Sequence, residues 1–255
     1  MPTKLMLREV TKRFGKVVAV DKLNLDVGEQ EFITLVGPSG CGKTTILRLI
    51  AGLEDPDEGE IYIDGQLVNG IGPGKRGVHM IFQSYALWPH MKVFETKEYS
   101  NISFPMKVRQ WVGENILSRA EEVAVKLGIP KEHFSRRPGQ LSAGQQQRVA
   151  VGRAMVVKPQ ILLMDEPLAN IDPQSRLRVR QEIRRNHDLM NLTTIFVTHN
   201  LIDAMALADR IAVMNEGIIV QIGSPREVHQ RPINDFVADF IRSAEMPSFH
   251  FGGDR

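Results

Sequence analysis

The sequence predicts an α/β fold: a parallel-sheet core with an antiparallel β layer and an inserted helical subdomain. Short apolar segments such as Ile161–Met164 and Thr194–Thr198 are typical of strands buried on both faces of a parallel sheet. In the first third of the chain, an Asp64-Gly65 pair between two β-rich runs predicts an antiparallel hairpin. From about residue 85 to 157, helical spacing replaces the strand patterns.

Strands of the first third are predicted from alternating and β-rich runs. A turn at Thr11–Gly15, which carries the aromatic Phe14, separates the first two. We expect the last strand of this part to be short and buried and to end at Gln83. The predicted strands are residues 4–30 on either side of that turn, Glu60–Ile63, Gln66–Val68 and Val78–Phe82.

Helical spacing and end signals predict the later elements. Asp172-Pro173 is a favourable pair for the N-cap and first position of a helix. A hairpin of Ile211–Met214 and Ile218–Ile222 is expected to close the core. The predicted helices are Glu114–Leu127, one within Leu141–Val157, Gln174–Met190 and Asn234–Arg242.

These patterns predict one domain, residues 1–243. Its core comprises residues 1–84 and 158–243, and the helical subdomain comprises about residues 85–157. Residues 244–255 are expected to be a frayed polar tail.

Composition excludes several classes of function. The chain has 255 residues with 32 basic and 30 acidic side chains, and a net charge of +2 does not indicate nucleic-acid binding. One cysteine rules out an intrachain disulfide. No apolar run reaches the roughly 18–20 residues that span a bilayer. A cytosolic protein is expected, with any membrane association made through a partner.

The segment Gly37–Thr44 is the one around which the chain is organised. It follows the apolar run Phe32–Val36 and leads into the apolar-periodic segment Thr45–Ala51. This is the strand–loop–helix context that G-x-x-x-x-G-K-[ST] requires for a phosphate-binding loop. Glycines let backbone N–H groups face phosphate oxygens, Lys43 adds a charge, and Thr44 supplies a hydroxyl suited to Mg²⁺.

A carboxylate pair, Asp165 and Glu166, follows the apolar strand Ile161–Met164. A carboxylate at the C-terminal end of such a strand lies beside the phosphate loop and can hold Mg²⁺. The next carboxylate is outside the inner shell of the metal and can polarise a water, as hydrolysis requires. An exposed Asp-Glu pair at a strand end is the alternative that these residues leave open.

The stretch Leu141–Gln145 predicts the start of a helix whose N-terminus can approach a phosphate. Ser142 and Gln145 form a capping box, and the small residues Ala143 and Gly144 permit close approach. Taken alone, these residues favour a plain helix cap. A second phosphate-binding helix end is surplus in one nucleotide site, which suggests that it serves another site.

With these motifs, the sequence resembles the nucleotide-binding subunit of ATP-binding cassette (ABC) transporters over nearly its whole length. The resemblance implies a P-loop NTPase (RecA-like) fold. The motifs stand in the family's order: Walker A at Gly37–Thr44, the Q-loop at Gln83, the signature at Leu141–Gln145, Walker B at Ile161–Asp165, the general base at Glu166, the D-loop at Ala169–Asp172 and the switch histidine at His199. The sequences of residues 84–91 and 221–225 resemble those of importers of sugars, polyamines, ferric iron or oxyanions.

The resemblance implies a role for each matching residue. The expected catalytic residues are Lys43, Gln83, Glu166 and His199. The expected ATP-binding residues are Phe14 (stacked on adenine), Gly37, Pro38, Ser39, Gly40, Cys41, Gly42, Lys43, Thr44, Thr45, Ser142, Gly144, Gln145 and Asp172. The expected Mg²⁺ ligands are Thr44, Gln83 and Asp165.

The resemblance also implies partners. Two copies would form a head-to-tail dimer that encloses two ATP molecules, each between the Walker A loop of one copy and the signature of the other. This dimer would act on two transmembrane permease subunits at the cytoplasmic face of the membrane, and an extracytoplasmic protein would bind the solute. Nucleic acid is not an expected partner.

Three departures from the family pattern bear on these expectations. Ala143 replaces a usual glycine, and its Cβ costs about 1 kcal/mol only if the position needs a positive φ. Thr96–Ser100 resembles a short insertion behind the surface that would face the permease. The β-rich regulatory domain common in sugar and polyamine members is not expected here. An exporter subunit, or a soluble ABC ATPase acting on nucleic acid or ribosomes, stays as the alternative function.

Overall fold

The computed structural model describes residues 2–82, 84–169 and 171–244, which group into two compact units. The first, here called the loop unit, comprises Met1–Val78 and Leu192–Arg255 within those ranges. The second, the helical unit, comprises His79–Asn191. The predicted boundaries, a core of 1–84 and 158–243 around a subdomain of 85–157, stay a prediction. The predicted tail lies outside the described residues except for Ala244.

Strands and α-helices occur along the described chain both singly and in runs. The strands are β1 (Thr3–Phe14), β2 (Val17–Gly28), β3 (Phe32–Val36), β4 (Glu58–Ile63), β5 (Gln66–Leu67), β6 (Val78–Ile81), β7 (Ile161–Asp165), β8 (Thr193–Thr198), β9 (Arg210–Asn215) and β10 (Ile218–Gly223). The helices are α1 (Lys43–Ala51), α2 (Phe104–Val108), α3 (Gly113–Lys126), α4 (Ala143–Met155), α5 (Pro173–Met190), α6 (Leu201–Leu207), α7 (Pro225–Gln230) and α8 (Asp235–Ser243). None of the helices in the described ranges has the length and apolar character needed to cross a membrane.

The loop unit contains both antiparallel and parallel strand pairing. The strands β2, β1, β4 and β5 form an antiparallel sheet in that order, whereas β10, β9, β3 and β8 are neighbours in a second sheet. Strand β3 runs parallel to both β8 and β9. All residues of β3 and β8 are buried, as their apolar runs predict.

Strand register confirms one prediction and corrects another. The β4–β5 hairpin is confirmed, with Ile63 paired to Gln66. The predicted turn Thr11–Gly15 is wrong in extent, because β1 continues through Phe14, which pairs with Val17. Since the pairing persists to that point, only two residues are left for the turn.

Arginine side chains connect helices of the helical unit. Arg119 of α3 donates to the carbonyl oxygens of Met155 (2.7 Å) and Val156 (3.1 Å), which lie at the C-terminal end of α4. Arg148 of α4 donates through Nε to a carboxylate oxygen of Glu182 in α5, at 2.8 Å. The helices α3, α5 and α8 begin and end within one residue of their predicted bounds.

Strand β6 departs from the prediction of a buried strand over Val78–Phe82. It ends at Ile81, its first three residues are only half-buried, and the Phe82 side chain is 39% exposed. The strand lies at an edge of its sheet, next to β7, so its side chains are covered less completely than those of a central strand.

The β6 residue His79 has a strongly perturbed imidazole. Its Nδ1 atom is buried with no hydrogen-bond partner among the described residues. Burial, together with the nearby charges of Arg109 and Arg153, lowers the pKa of His79 to about 4. The imidazole is therefore neutral in the folded chain at neutral pH.

We expect His79 to make folding weaker in mild acid. As pH falls below about 6.5, the unfolded chain takes up a proton at this position while the folded chain does not until about pH 4. The free energy of unfolding should therefore fall by about 2 kcal/mol more in the parent than in His79→Gln between pH 7.5 and 5. Urea unfolding at both pH values measures this difference, and the pH 7.5 data isolate the packing change. Equal pH slopes in the two chains would contradict the expectation.

Candidate functional site

The loop Gly37–Thr44 connects β3 to α1 and encloses a buried ammonium group. The Lys43 side chain, on a residue that is 5% exposed, donates to the carbonyl oxygens of Gly37 and Pro38, each at 2.8 Å. The rim residues Pro38, Ser39 and Gly40 are exposed. The loop therefore holds a positive charge at its base below an accessible rim, which is the arrangement that an anion requires.

Two glycines fix the path of this loop. At Gly42, where φ is +101°, an added Cβ would lie 2.2 Å from the carbonyl oxygen of Ala19 in β2. At Gly37, it would lie 2.2 Å from the carbonyl oxygen of Met214 in β9. No side chain fits at either position without displacing backbone, so both glycines are required by close packing as well as by conformation.

The remaining side chains of the loop segment differ in exposure. Cys41 is buried, with its Sγ 3.5 Å from the Lys43 Nζ. Thr44 is exposed in the first turn of α1, and Thr45 is half-buried. Thr44 therefore lies at the exposed helix end where the loop opens.

His199 leaves the sheet beside the loop. Strands β3 and β8 are parallel, and Val36 pairs with Thr198. The residues that follow, Gly37 and His199, therefore emerge at the same edge of the sheet. His199 is exposed there. The structure thus brings together, in the loop unit, the phosphate-loop residues and the histidine that sequence analysis selected.

Phe14 lies at the end of β1, in the same unit. It is 46% exposed, and the Lys12 ammonium is 5.5 Å from the centre of its ring. This exposure disfavours a simple core role for the ring and is compatible with a stacking surface.

In the helical unit, Asp165 ends β7 and Glu166 follows it. Both are half-buried. The backbone of Glu166 has φ of +47°, a conformation that costs a residue with a side chain on the order of 1–3 kcal/mol. Such strain is maintained only where surrounding contacts hold the backbone in place.

The signature stretch begins α4 as predicted. The Ser142 hydroxyl accepts from the Gln145 backbone N–H at 3.4 Å, and the Gln145 side chain accepts from the Ser142 N–H at 3.0 Å. Ala143 is the first residue of the helix and has no positive φ, so its Cβ brings no backbone strain. A Cβ on Gly144 would make only an ordinary contact, 3.5 Å from Val179.

Asp172 acts as a helix cap. Its carboxylate accepts from the backbone N–H of Ser175 at 2.9 Å, at the start of α5. This hydrogen bond holds the pKa of Asp172 below its usual range. The capping role accounts for an aspartate at this position without reference to any ligand.

Gln83, assigned above to catalysis and to Mg²⁺, lies outside the described residues, and so does Asn170 of the predicted D-loop. The chemistry of the other two expected metal ligands fits Mg²⁺, because the Thr44 hydroxyl and the Asp165 carboxylate are hard oxygen donors at element ends. Within the described ranges, no group of three or more His, Cys, Asp and Glu side chains is arranged to hold a metal by itself.

Sequence reasoning missed Arg153. It lies on α4 and donates to the carbonyl oxygens of Tyr85 and Ala86. An arginine on a helix ordinarily indicates a solvated face, so no signal in the sequence could have assigned this contact.

Comparison with known proteins identifies the family of the chain. The profile of a protein family described as ABC transporter matches residues 20–169, more than half of the chain. The chain belongs to the ABC transporter family.

Named relatives in the ABC transporter family are import subunits. A trehalose/maltose import ATP-binding protein of Thermococcus litoralis is 50% identical over 246 residues, covering 94% of this chain and 64% of the relative. A xylose/arabinose import ATP-binding protein of Haloferax volcanii is 48% identical over 238 residues, covering 93% of this chain and 61% of the relative. The chain thus spans a little under two-thirds of the length of these relatives.

Solved ABC structures confirm the predicted P-loop α/β fold. The dimeric post-hydrolysis structure of the ATP-binding cassette MJ0796 with ADP and Pi has a TM-score of 0.72 and 30% identity, covering 87% of this chain and 99% of that one. A second cassette, cbiO1 of Clostridium perfringens, has a TM-score of 0.79 at 23% identity, covering 89% of this chain and 91% of that one, and shows the fold alone.

We expect Gly42→Ala to destabilise the chain more than Gly65→Ala. Both glycines have positive φ, but a Cβ at Gly65 in the β4–β5 hairpin meets nothing within 4 Å, whereas at Gly42 it meets a carbonyl oxygen. The control substitution should cost about 1–2 kcal/mol, and Gly42→Ala about 3 kcal/mol or more. Urea unfolding measures both losses. Equal losses would show that the close contact with Ala19 is relieved without cost.

Proposed function

We propose that this chain is the ATP-binding and ATP-hydrolysing subunit of an importer that moves a small solute across the cytoplasmic membrane. The observation that carries the proposal is the buried Lys43 ammonium at the base of the Gly37–Thr44 loop, at the sheet edge where His199 emerges. A triphosphate supplies negative charge to this ammonium, whose contacts include the uncharged carbonyl oxygens of Gly37 and Pro38.

ATP would be held along the loop unit. Backbone N–H groups of the loop face the phosphates, and Lys43 exchanges its carbonyl partners for phosphate oxygens. The exposed ring of Phe14 offers a surface on which adenine stacks. Thr44, Asp165 and Gln83 are the proposed holders of Mg²⁺, which when bound neutralises charge on the phosphates.

Hydrolysis would depend on Glu166. Its carboxylate accepts a proton from the attacking water, whose oxygen bonds to the γ-phosphorus as the bond to the β–γ bridging oxygen breaks, giving ADP and phosphate. His199 and Lys43 contact the γ-phosphate and stabilise its charge.

A second copy of the chain would complete each site. The N-terminus of α4 is only partly covered: Ser142 is exposed, and Gly144 and Gln145 are half-buried. These three residues would contact the phosphates of ATP held on the loop of the other copy. ATP binding would then close a homodimer, and hydrolysis would open it.

Import is favoured by the relatives, whose names describe import ATP-binding proteins for sugars and, in Rhizobium johnstonii, for sn-glycerol-3-phosphate. Two permease subunits and an extracytoplasmic solute-binding protein are the partners that an importer requires. The subunit would act at the cytoplasmic face of the membrane. No comparable observation supports the exporter or the soluble ATPase.

Glu166→Gln should abolish turnover and leave an ATP-bound dimer. Loss of a general base typically costs about 10²–10⁴-fold in rate. Phosphate release measures kcat, and size-exclusion chromatography with light scattering measures the dimer. Glu29→Gln, an exposed carboxylate in the turn after β2, is the matched control and should keep the parental rate. A Glu166→Gln chain that hydrolyses ATP at a near-parental rate would remove this residue from the role.

Gly144→Ala should weaken the dimer without weakening the fold. The added Cβ makes an ordinary internal contact, so the free energy of unfolding should be unchanged or higher by at most about 1 kcal/mol. The same Cβ would face phosphate oxygens across the interface and should lower ATP-dependent dimer affinity by about tenfold.

The matched control is Gly113→Ala, at the exposed first position of α3. Both substitutions are made in the Glu166→Gln chain, and dimer dissociation is measured by sedimentation. Equal dimer affinities in the two variants would contradict a role for Gly144 at the interface.

A further inference from the structure

The turn after Gln83 is strained at two consecutive residues. Tyr85 and Ala86 have φ of +58° and +44°, although neither is glycine or asparagine. Left-handed conformation at such residues costs on the order of 1–2 kcal/mol each. Contacts from other elements of the helical unit must therefore hold this turn.

Arg153 of α4 holds the backbone of the turn. Its Nη1 donates to the Ala86 carbonyl oxygen at 2.6 Å and its Nη2 to the Tyr85 carbonyl oxygen at 2.9 Å. The guanidinium also lies 4.8 Å from the ring centre of Trp88. Burial lowers the pKa of Arg153 to about 10, so the group stays charged at neutral pH. Only the planar guanidinium of an arginine can donate to both carbonyl oxygens and stack on the Trp88 ring at the same time.

The Tyr85 side chain connects this turn to the segment that contains Glu166. The side chain is buried, with the residue 6% exposed, and its hydroxyl donates to the carbonyl oxygen of Pro167 at 3.0 Å. Pro167 directly follows Glu166, whose own φ is +47°.

We propose that Tyr85 is a positioning residue for Glu166, and that Arg153 positions Tyr85. The hydrogen bond to Pro167 holds the Pro167–Leu168 peptide, one residue beyond Glu166, and thereby limits the orientations of the Glu166 carboxylate. Arg153 lies on α4, the helix that Ser142 caps. The inference rests on the proposed function, since it concerns the orientation of the proposed general base.

The test compares Tyr85→Phe with Tyr99→Phe. Both remove one hydroxyl and keep the ring, but Tyr99 is 55% exposed. Tyr85→Phe should lower kcat for ATP hydrolysis by about tenfold, with the KM for ATP within about twofold of the parent. Tyr99→Phe should leave both values unchanged. A trinitrophenyl-ATP titration checks nucleotide affinity separately, and thermal unfolding checks the fold.

Arg153→Lys tests the second half of the inference. A single ammonium cannot donate to both carbonyls and stack on Trp88, so kcat should fall to a similar extent. Because the two residues act in one chain of contacts, the double variant with Tyr85→Phe should be no slower than the slower single variant. If the fold-losses in kcat of the two single variants multiplied in the double variant, Arg153 and Tyr85 would act independently, and this part of the inference would be overturned.

The outcomes distinguish this inference from the proposed function. If the parent hydrolyses ATP and Glu166→Gln does not, an unchanged kcat in Tyr85→Phe overturns the inference alone. A Tyr85→Phe chain whose kcat, nucleotide affinity and melting temperature fall together also overturns it, because that pattern reports a structural role. A parent chain without ATP hydrolysis overturns both.

Discussion

The ammonium of Lys43, buried against the carbonyl oxygens of Gly37 and Pro38, is the constraint on which the loop unit depends. Moving a charge out of water is costly unless it is paired, and hydrogen bonds to uncharged carbonyl oxygens compensate only in part. The fold therefore maintains a group whose best partner is an anion. An open rim of exposed residues above it lets such a partner enter without rearrangement of the sheet.

This loop keeps its shape because neighbouring backbone leaves it no alternative path. Ala19 of the antiparallel sheet and Met214 of β9 each place a carbonyl oxygen where a side chain at Gly42 or Gly37 would stand. The Gly217 N–H also donates to the Cys41 carbonyl oxygen at 3.1 Å. The antiparallel layer that the first third of the sequence predicts is thus a wall of the phosphate-loop site.

Features set by local chemistry were predictable from the sequence. The capping box at Ser142, the N-cap at Asp172 and the β4–β5 hairpin depend on residues within a few positions of one another, and each is present. The partial exposure of β6 was not predictable, because an apolar run does not reveal that its strand lies at an edge of the sheet. The contacts of Arg153 were not predictable either, since the two carbonyls it binds lie 67 and 68 residues away along the chain.

The two units hold their candidate residues by different means. In the loop unit, backbone carbonyls and glycines shape the Gly37–Thr44 loop around Lys43. In the helical unit, the strained backbone at Glu166 and at Tyr85 is connected through a tyrosine hydroxyl and an arginine fork. Backbone packing is lost only when the fold is lost, whereas a side-chain hydrogen bond can be made and broken within a folded unit at about 0.5–1.5 kcal/mol. Backbone support suits the proposed role of Lys43, which would bind an anion in every turnover. Side-chain support suits the proposed role of Glu166, whose carboxylate would need to be aligned only during the reaction.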